Sequence, residues 1–234
     1  MESKYIEIFH EMEKDIKAGK FRDTRKLLTE DEYILLYNVS RNTVRRAIDM
    51  LIRKGYCYPV QGKGIFLRKH LMDGCINLEN IGGLTHDFAP RDVSTNLISF
   101  IEIPADEDLA DKLEVPIGTI LYYIERLRLI DKKPYSLERM YYRKDLIRLT
   151  ENIVSTSILS YFRTQPGMKM TFNDYVLRAV KITKYEADLL GLKEGDPGFR
   201  TENFGMNRKG EIAYFNRGTY HYQEARFLKM ASYL

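Results

Sequence analysis

The sequence predicts an α+β protein of two domains, in which a helical N-terminal module precedes an antiparallel sheet domain with helices. Two observations lead to this prediction. The first 69 residues hold three stretches with helical spacing, followed by two β-forming runs separated by glycines. The remainder repeats a motif, "ADKLEVPIG" and "ADLLGLKEG", and each copy leads into a strand, a polar turn and a return strand. A length of 234 residues suits two domains of ordinary size.

The positive charge of the chain lies in its first 70 residues. That segment carries 15 Lys and Arg against 10 Asp and Glu, whereas the remainder carries 22 against 23. A basic module beside a nearly neutral one indicates a polyanionic partner for the first module and a different partner for the second.

Several classes of protein are disfavoured by what the sequence lacks. No apolar run approaches the ~18 residues of a membrane-spanning helix, and the charged N-terminus has no signal-peptide core. Only Cys57 and Cys75 are present and the four histidines lie far apart, which disfavours a disulfide framework and a metal site. Hydrolase, phosphate-loop and dinucleotide motifs are also missing. We therefore expect a cytoplasmic protein without a membrane segment, catalytic residues, metal or cofactor.

The first two helices are predicted over residues 4–18 and from about residue 30 to Asn38. In the first, apolar residues recur along a single face. That stripe comprises Tyr5, Ile8, Phe9, Met12 and Ile16. The second helix begins with Thr29 and Glu32, which match a capping box, and it ends near Asn38, which tolerates a left-handed backbone.

A third helix is predicted from Arg41 to Lys54, capped by Ser40 and ended by Gly55. Its buried stripe comprises Val44, Ala47, Ile48 and Leu51. The runs "YCYPV" and "IFLRK", joined by "QGKG", then predict a β-hairpin. Three helices and a hairpin make a winged helix-turn-helix domain, here residues 1–69.

The start of the third helix and the tip of the hairpin carry the chemistry of DNA recognition. Arg41 and Arg45 share one face of that helix, off the apolar stripe. Asn42 and Arg46 share another. Arginine suits guanine edges, asparagine suits adenine edges, and hydroxyl groups suit phosphates. The candidates are Arg41, Asn42, Thr43, Arg45 and Arg46 on the helix and Gly62, Lys63 and Gly64 at the tip. The alternative is an exposed amphipathic helix whose arginines are only solvated.

Residues 86–234 are predicted to form the second domain, joined to the first by a linker over residues 70–85. Its internal repeat has a longer period than solenoid repeats usually show. The two copies are therefore expected to pair into one antiparallel sheet with helices on one face. A further short helix is predicted between the copies, over residues 155–165.

Two arginines in the strand "ILYYIERLRLID" are a candidate anion site. Side chains alternate faces along a strand, so Arg126 and Arg128 share a face and form a fork suited to phosphate or carboxylate. Glu138 follows on the return strand. The alternative is a solvent face on which the arginines pair with Glu125 and Glu138, and the strand pattern alone does not separate the two.

The segment "LLTEDEYILLYNVSRNTVRRAIDMLIRKGYCYPVQGKGIFL" resembles the winged helix of GntR-family transcription regulators. Its "VSRNTVRRA", Gly55 and "GKGIF" are similar to the recognition helix and wing of that family. The segment "ERLRLIDKKPYSLE" resembles the signature of the UTRA ligand-sensing domain of the HutC subfamily, which shares its fold with chorismate lyase. Together the two resemblances cover nearly the whole chain.

The resemblance implies a homodimeric regulator, expected to be a repressor, that binds double-stranded operator DNA. It implies that a small effector, such as a phosphosugar or another anionic metabolite, releases the DNA. The implied DNA contacts are Thr29, Ser40, Arg41, Thr43, Arg45 and the wing around Gly62–Gly64. The implied effector contacts are Gly83, Leu84, Thr85, Arg126, Arg128, Glu138, Ser157, Tyr214 and Tyr220.

Three residues depart from the family pattern. Asp31 stands where relatives place a base-reading Arg, so an acid there would repel DNA or select a different base, for example through a cytosine amino group. Tyr214 stands where a Glu that meets sugar hydroxyls is usual, so the effector is expected to differ from the amino sugars that some relatives bind. Leu28 replaces a Pro, which is a milder change.

Two other classes of function are compatible with the residues alone. One is an enzyme on a chorismate-lyase-like fold with an accessory winged helix, which would turn over its ligand. The other is a protein–protein adaptor whose basic face is only solvated. Such an adaptor would show no salt-dependent DNA binding, whereas a regulator would lose affinity steeply with salt.

Overall fold

The computed structural model of the chain describes residues 3–68, 74–78, 82–89, 91–164 and 170–229. The helices are α1 (Lys4–Lys17), α2 (Glu30–Tyr37), α3 (Arg41–Arg53), α4 (Leu84–Asp87), α5 (Glu107–Leu113), α6 (Glu151–Val154), α7 (Ile158–Thr164) and α8 (Lys184–Leu190). The strands are β1 (Cys57–Val60), β2 (Gly64–Leu67), β3 (Ile76–Asn77), β4 (Val93–Pro104), β5 (Ile120–Ile130), β6 (Lys133–Arg143), β7 (Met170–Lys181), β8 (Pro197–Asn207), β9 (Ile212–His221) and β10 (Phe227–Leu228). None of the helices in these ranges has the length and apolar character needed to cross a membrane.

The described residues fall into two compact units, built mainly on residues 3–68 and on residues 82–227. The predicted linker, residues 70–85, lies partly outside the described residues. Its described parts contain secondary structure. β3 pairs with β10 in a two-stranded sheet, and α4 begins at Leu84.

The N-terminal unit is the winged helix-turn-helix that the sequence predicts. α1 packs on α3 around a core in which Phe9, Tyr33 and Leu51 are almost fully buried. At the start of α2, Thr29 accepts a hydrogen bond from the backbone of Glu32, and the Glu32 carboxylate accepts from the backbone of Thr29. The Thr29 hydroxyl also donates to that carboxylate at 2.7 Å, so the capping box engages the hydroxyl predicted to contact phosphate.

The turn between α2 and α3 follows the predicted caps closely. Asn38 ends α2 in the left-handed conformation, with φ of 50°. Ser40 then caps α3 by accepting a hydrogen bond from the backbone of Thr43. Only Val39 separates the two capping residues, which makes this turn short and well determined by local sequence.

Each copy of the repeat forms a strand–helix–strand–strand unit, β4–α5–β5–β6 and then β7–α8–β8–β9. The two units pair into one six-stranded antiparallel sheet in the order β4–β5–β6–β9–β8–β7. The first strand of each unit, β4 or β7, is missing from the predicted repeat. Both lie at the edges of the sheet and carry largely exposed side chains, which weakens their apolar signal in the sequence.

The prediction that the helices cover one face of this sheet is wrong. α5 packs on the face that holds Leu121, whereas α6 and α7 pack on the opposite face, which holds Ile124. Both residues are fully buried, so β5 presents apolar side chains on both sides. A sheet with two apolar faces has to be covered on both.

Candidate functional site

Two acidic residues at the start of α2 hold the two arginines of the predicted DNA-reading face. Arg41 Nη2 lies 2.5 Å from Asp31 Oδ1, and Arg45 Nε lies 2.9 Å from Glu30 Oε2. Glu30 also lies 3.8 Å from Arg41, so the four side chains form one cluster without net charge. We call it the acid–arginine cluster. Its arginines stay more than half exposed, so a DNA phosphate can compete for both guanidinium groups.

The other predicted DNA contacts of α3 differ in their surroundings. Asn42 is exposed. The Thr43 hydroxyl lies 2.8 Å from the hydroxyl of Ser40, the capping residue. The Arg46 guanidinium lies over the ring of Tyr5 on α1, 4.1 Å from its centroid. The structure thus leaves Asn42 open to solvent and engages Arg46 with α1.

The hairpin tip is an exposed loop suited to a close approach of the backbone. β1 and β2 pair up to Val60 and Gly64. Gly62 and Gly64 have φ of 72° and 110°, in the region that favours glycine. Lys63, between them, is exposed. The tip therefore presents a cation on a backbone that bulkier residues would strain.

The second candidate site is built on Arg126 and Arg128 of β5 and Glu138 of β6. The two arginines are only 5% and 3% exposed, so the alternative of a solvent face is wrong. Glu138 accepts a hydrogen bond from Arg126 at 2.7 Å and lies 3.7 Å from Arg128. Glu125 is on the other face of the sheet, where it pairs with Arg139 at 2.7 Å. One buried carboxylate thus faces two buried guanidinium groups.

The two arginines have different remaining partners. Arg126 also donates to the backbone carbonyl of Val154 at the end of α6, at 2.8 Å, and to that of Thr156 just beyond it, at 2.9 Å. Arg128 donates to the Thr85 hydroxyl at 3.2 Å, while its Nε has no hydrogen-bond partner among the described residues. Arg126 is therefore held by the fold, whereas the described part of the chain supplies no acceptor for Arg128 Nε.

Burial and charge oppose each other at this site. Burial lowers the pKa of Arg128, and the neighbouring Glu138 partly offsets that effect. Burial opposes ionisation of Glu138 as well, but Arg126 and Arg128 outweigh it and hold the pKa of this carboxyl below its ordinary value. The site is therefore charged at neutral pH and carries one excess positive charge.

These side chains border a small cavity of about 60 Å³. Its lining contains the predicted residues Gly83, Leu84, Arg126, Arg128, Glu138, Ser157 and Tyr214. It also contains residues that the sequence analysis missed, namely Met140, Tyr142, Ile158, Leu159, Asn203 and Asn216. Ligand pockets commonly enclose ~300–1,000 Å³, so this cavity is smaller than most ligand sites.

Three of the predicted effector residues have distinct surroundings. Ser157 precedes α7, and its hydroxyl accepts hydrogen bonds from the backbone and the hydroxyl of Ser160. Thr85 belongs to α4 and reaches the cavity through its bond to Arg128. Tyr220 is outside the lining, and its hydroxyl lies 3.4 Å from that of Tyr175.

Comparison with known proteins identifies both domains of the chain. The UTRA domain model matches residues 89–226, and the model of bacterial regulatory proteins of the gntR family matches residues 4–67. The chain is 29% identical to the HTH-type transcriptional regulator YydK of Bacillus subtilis, over 98% of each chain. It is 27% identical to the HTH-type transcriptional repressor NagR of the same species, over 82% of this chain and 80% of NagR. The crystal structure of YydK has a TM-score of 0.81 at 28% identity, over 98% of this chain and 100% of that chain.

The matched families and the relatives just named are regulators of transcription and not enzymes, so the enzyme alternative is set aside. The N-terminal unit supplies the DNA-binding helix-turn-helix, and the second unit supplies a ligand-binding domain. The chain belongs to the GntR family of bacterial transcription regulators and carries a UTRA domain.

Proposed function

We propose that this regulator is a cytoplasmic repressor of the HutC subfamily, released from its operator by a small anionic effector such as a phosphosugar. The name of NagR, a repressor, supports the direction of control. The proposed operator contacts are Arg41 and Arg45 of the acid–arginine cluster, Asn42 and the hairpin tip. The proposed effector site is the cavity at Arg126 and Arg128.

The anionic class of the effector is supported by one observation: two buried arginines at this cavity face a single carboxylate. Arg126 and Arg128 are both buried, and the single carboxylate of Glu138 serves both. Uncompensated buried charge is costly, so an anion that joins the two guanidinium groups is favoured. The free Nε of Arg128 supplies a donor for it without breaking any bond. Phosphate and carboxylate both suit the planar fork of an arginine.

Because the cavity is smaller than ligand pockets usually are, we expect a sugar phosphate to widen it on binding. Arg126 ties the sheet to the carbonyls of Val154 and Thr156, where the chain leads from α6 to α7. An anion that draws Arg126 towards itself therefore weakens the hold on this segment. A ligand with different affinity for two forms of the domain shifts their populations, and coupling of ~1–3 kcal/mol is typical.

The test uses hexose phosphates, thermal melting and matched arginine variants. A saturating hexose 6-phosphate, at ~100 times its Kd, should raise the melting temperature of the parent protein by about 5–10 °C. Arg128→Gln should abolish this rise. Arg178→Gln is the control, because Arg178 is an exposed arginine of the same domain that pairs with Glu202 at 3.3 Å. The same ligand should release the protein from DNA upstream of its own gene in a mobility-shift assay.

The outcomes separate the parts of this proposal. An equal response of Arg128→Gln and parent would show that the arginine fork does not hold the effector. Absence of a shift for every phosphate and carboxylate tested would refute the anionic class. A ligand that strengthens the DNA complex would reverse the proposed direction of control.

We also propose that the protein acts as a homodimer. Apolar side chains are exposed on both edge strands of the sheet, including Ile101 on β4 at 53% and Phe172 on β7 at 63%. Exposed sheet edges offer backbone hydrogen bonds and apolar contacts to a second copy. Sedimentation analysis should give twice the chain mass, and a monomer at micromolar concentration would contradict this assignment.

A further inference from the structure

Two asparagines of the cavity carry buried oxygen atoms to which no group in the described ranges donates. Asn203 on β8 is 6% exposed, and Asn216 lies beside it on β9. Within the described residues, neither Oδ1 atom accepts a hydrogen bond, although each is fully shielded from solvent. Buried polar atoms nearly always have a partner, so these two oxygens need an explanation.

Neighbouring side chains determine which way the Asn203 amide faces. Asn173 Oδ1 on β7 accepts a hydrogen bond from the Tyr214 hydroxyl at 2.9 Å and another from Asn203 Nδ2 at 3.3 Å. Because the nitrogen of Asn203 is engaged by that oxygen, the oxygen of Asn203 remains the unpaired atom. An amide oxygen is an acceptor only, so its missing partner has to be a donor.

The internal repeat relates these asparagines to the charged residues of the site. Arg126 of β5 and Glu138 of β6 are partners across two adjacent strands. Asn203 of β8 and Asn216 of β9 are partners across the corresponding strands of the second copy. When the two repeated motifs are aligned, residue 203 of the second copy occupies the position of residue 126 in the first. The two copies therefore bring a charged pair and a neutral amide pair to the same cavity.

We propose that Asn203 and Asn216 form the second half of the effector site and accept hydrogen bonds from hydroxyl groups of the effector. The arginines take its anionic end, as in the function proposed above, on which this inference rests. The effector class is then a small molecule with one anionic group and several hydroxyl groups, such as a sugar phosphate or a sugar acid. A dicarboxylate is disfavoured, because its second anion would meet the unpaired oxygen of Asn203.

The test compares ligands that share a phosphate and differ in hydroxyl groups. The probes are the 6-phosphates of glucose, mannose, galactose and fructose, together with n-hexyl phosphate, which has six carbons and no hydroxyl group. Their dissociation constants are measured by titration calorimetry on the full chain. The parent should bind at least one hexose phosphate about 10-fold or more tightly than hexyl phosphate, because unpaired buried acceptors disfavour the latter.

Leucine at either asparagine removes the acceptor and keeps the number and branching of the side-chain heavy atoms, although its methyl groups are bulkier than the amide. Asn203→Leu and Asn216→Leu should each weaken binding of the preferred hexose phosphate by about 10-fold. Neither should change binding of hexyl phosphate by more than about twofold, and that binding also shows that the variant is folded. Asn96→Leu, at an exposed position on β4, is the matched control and should leave both constants unchanged.

The possible results test the role of the asparagines separately from that of the arginines. If the parent binds hexyl phosphate as tightly as every hexose phosphate, the asparagines do not read hydroxyl groups, while the arginine site stands. The same conclusion follows if the two leucine variants keep the parent's preference. If the parent binds none of the phosphates, the proposed phosphate-type effector fails and the inference fails with it.

Discussion

Replacing Asp31 by asparagine should strengthen binding to DNA of any sequence. Asp31 pairs with Arg41 at 2.5 Å, but the two side chains are 73% and 56% exposed. Such a pair contributes at most ~1 kcal/mol, so its loss costs little and frees Arg41 for a phosphate. One more neutralised phosphate should steepen the dependence of log K on log salt concentration by about 0.9. Affinity for random DNA should rise about fivefold at low salt.

The assay is fluorescence anisotropy with labelled operator and random duplexes, over ~50–200 mM salt. Glu7→Gln is the matched control, because Glu7 forms an exposed ion pair with Lys4 on α1 at 2.8 Å. It removes the same charge from another helix of the domain. An identical salt slope for Asp31→Asn and the parent would refute the reasoning. So would an equal steepening in the control, since the effect would then reflect net charge alone.

Three further predictions concern stability and reactivity. Thr29→Ala removes half of the capping box of α2 and should lower the free energy of unfolding by about 1 kcal/mol in urea titrations. Burial opposes ionisation of Glu186, but hydrogen bonds from Thr183 and Thr219 and the charge of Arg200 outweigh it and lower its pKa. The contribution of Glu186 to stability should therefore be fully present above the ordinary glutamate pKa of ~4.3 and be lost as the pH drops below it, so stability should fall less steeply with acid in Glu186→Gln. Burial raises the pKa of Cys57 to about 12, so iodoacetamide at pH 8 should leave it unmodified in the folded protein and label it in urea.

The N-terminal unit could be predicted closely because its signals are local. Thr29 with Glu32, and Ser40 with Thr43, are caps formed by residues three apart. The apolar stripes of α1 and α3 repeat at the helical period, which a single sequence displays directly. The pairing of Arg41 with Asp31 joins two helices, and the order of residues alone does not show it.

The second unit was harder to predict because its important contacts join distant segments. Strand alternation shows that Arg126 and Arg128 share a face. The hydrogen bond from Arg126 to the carbonyl of Thr156, however, joins residues that are 30 apart in sequence. The covering of both sheet faces was missed although Leu121 and Ile124 are apolar neighbours on opposite sides of β5. Asn203 could have been found by carrying position 126 onto the second copy of the repeat.

The turn from α2 to α3 affects how α3 is rotated about its own axis. Asn38 and Ser40 fix both helix ends, with Val39 alone between them. With the start of α3 held in place, adding or removing a residue there would shift its sequence by one position and turn its side chains by about 100° about the helix axis. Arg41 and Arg45 would then swing out of reach of Glu30 and Asp31, and the apolar stripe would leave the core. The length of this turn therefore sets which side chains of α3 face the core and which are left for the proposed DNA contacts.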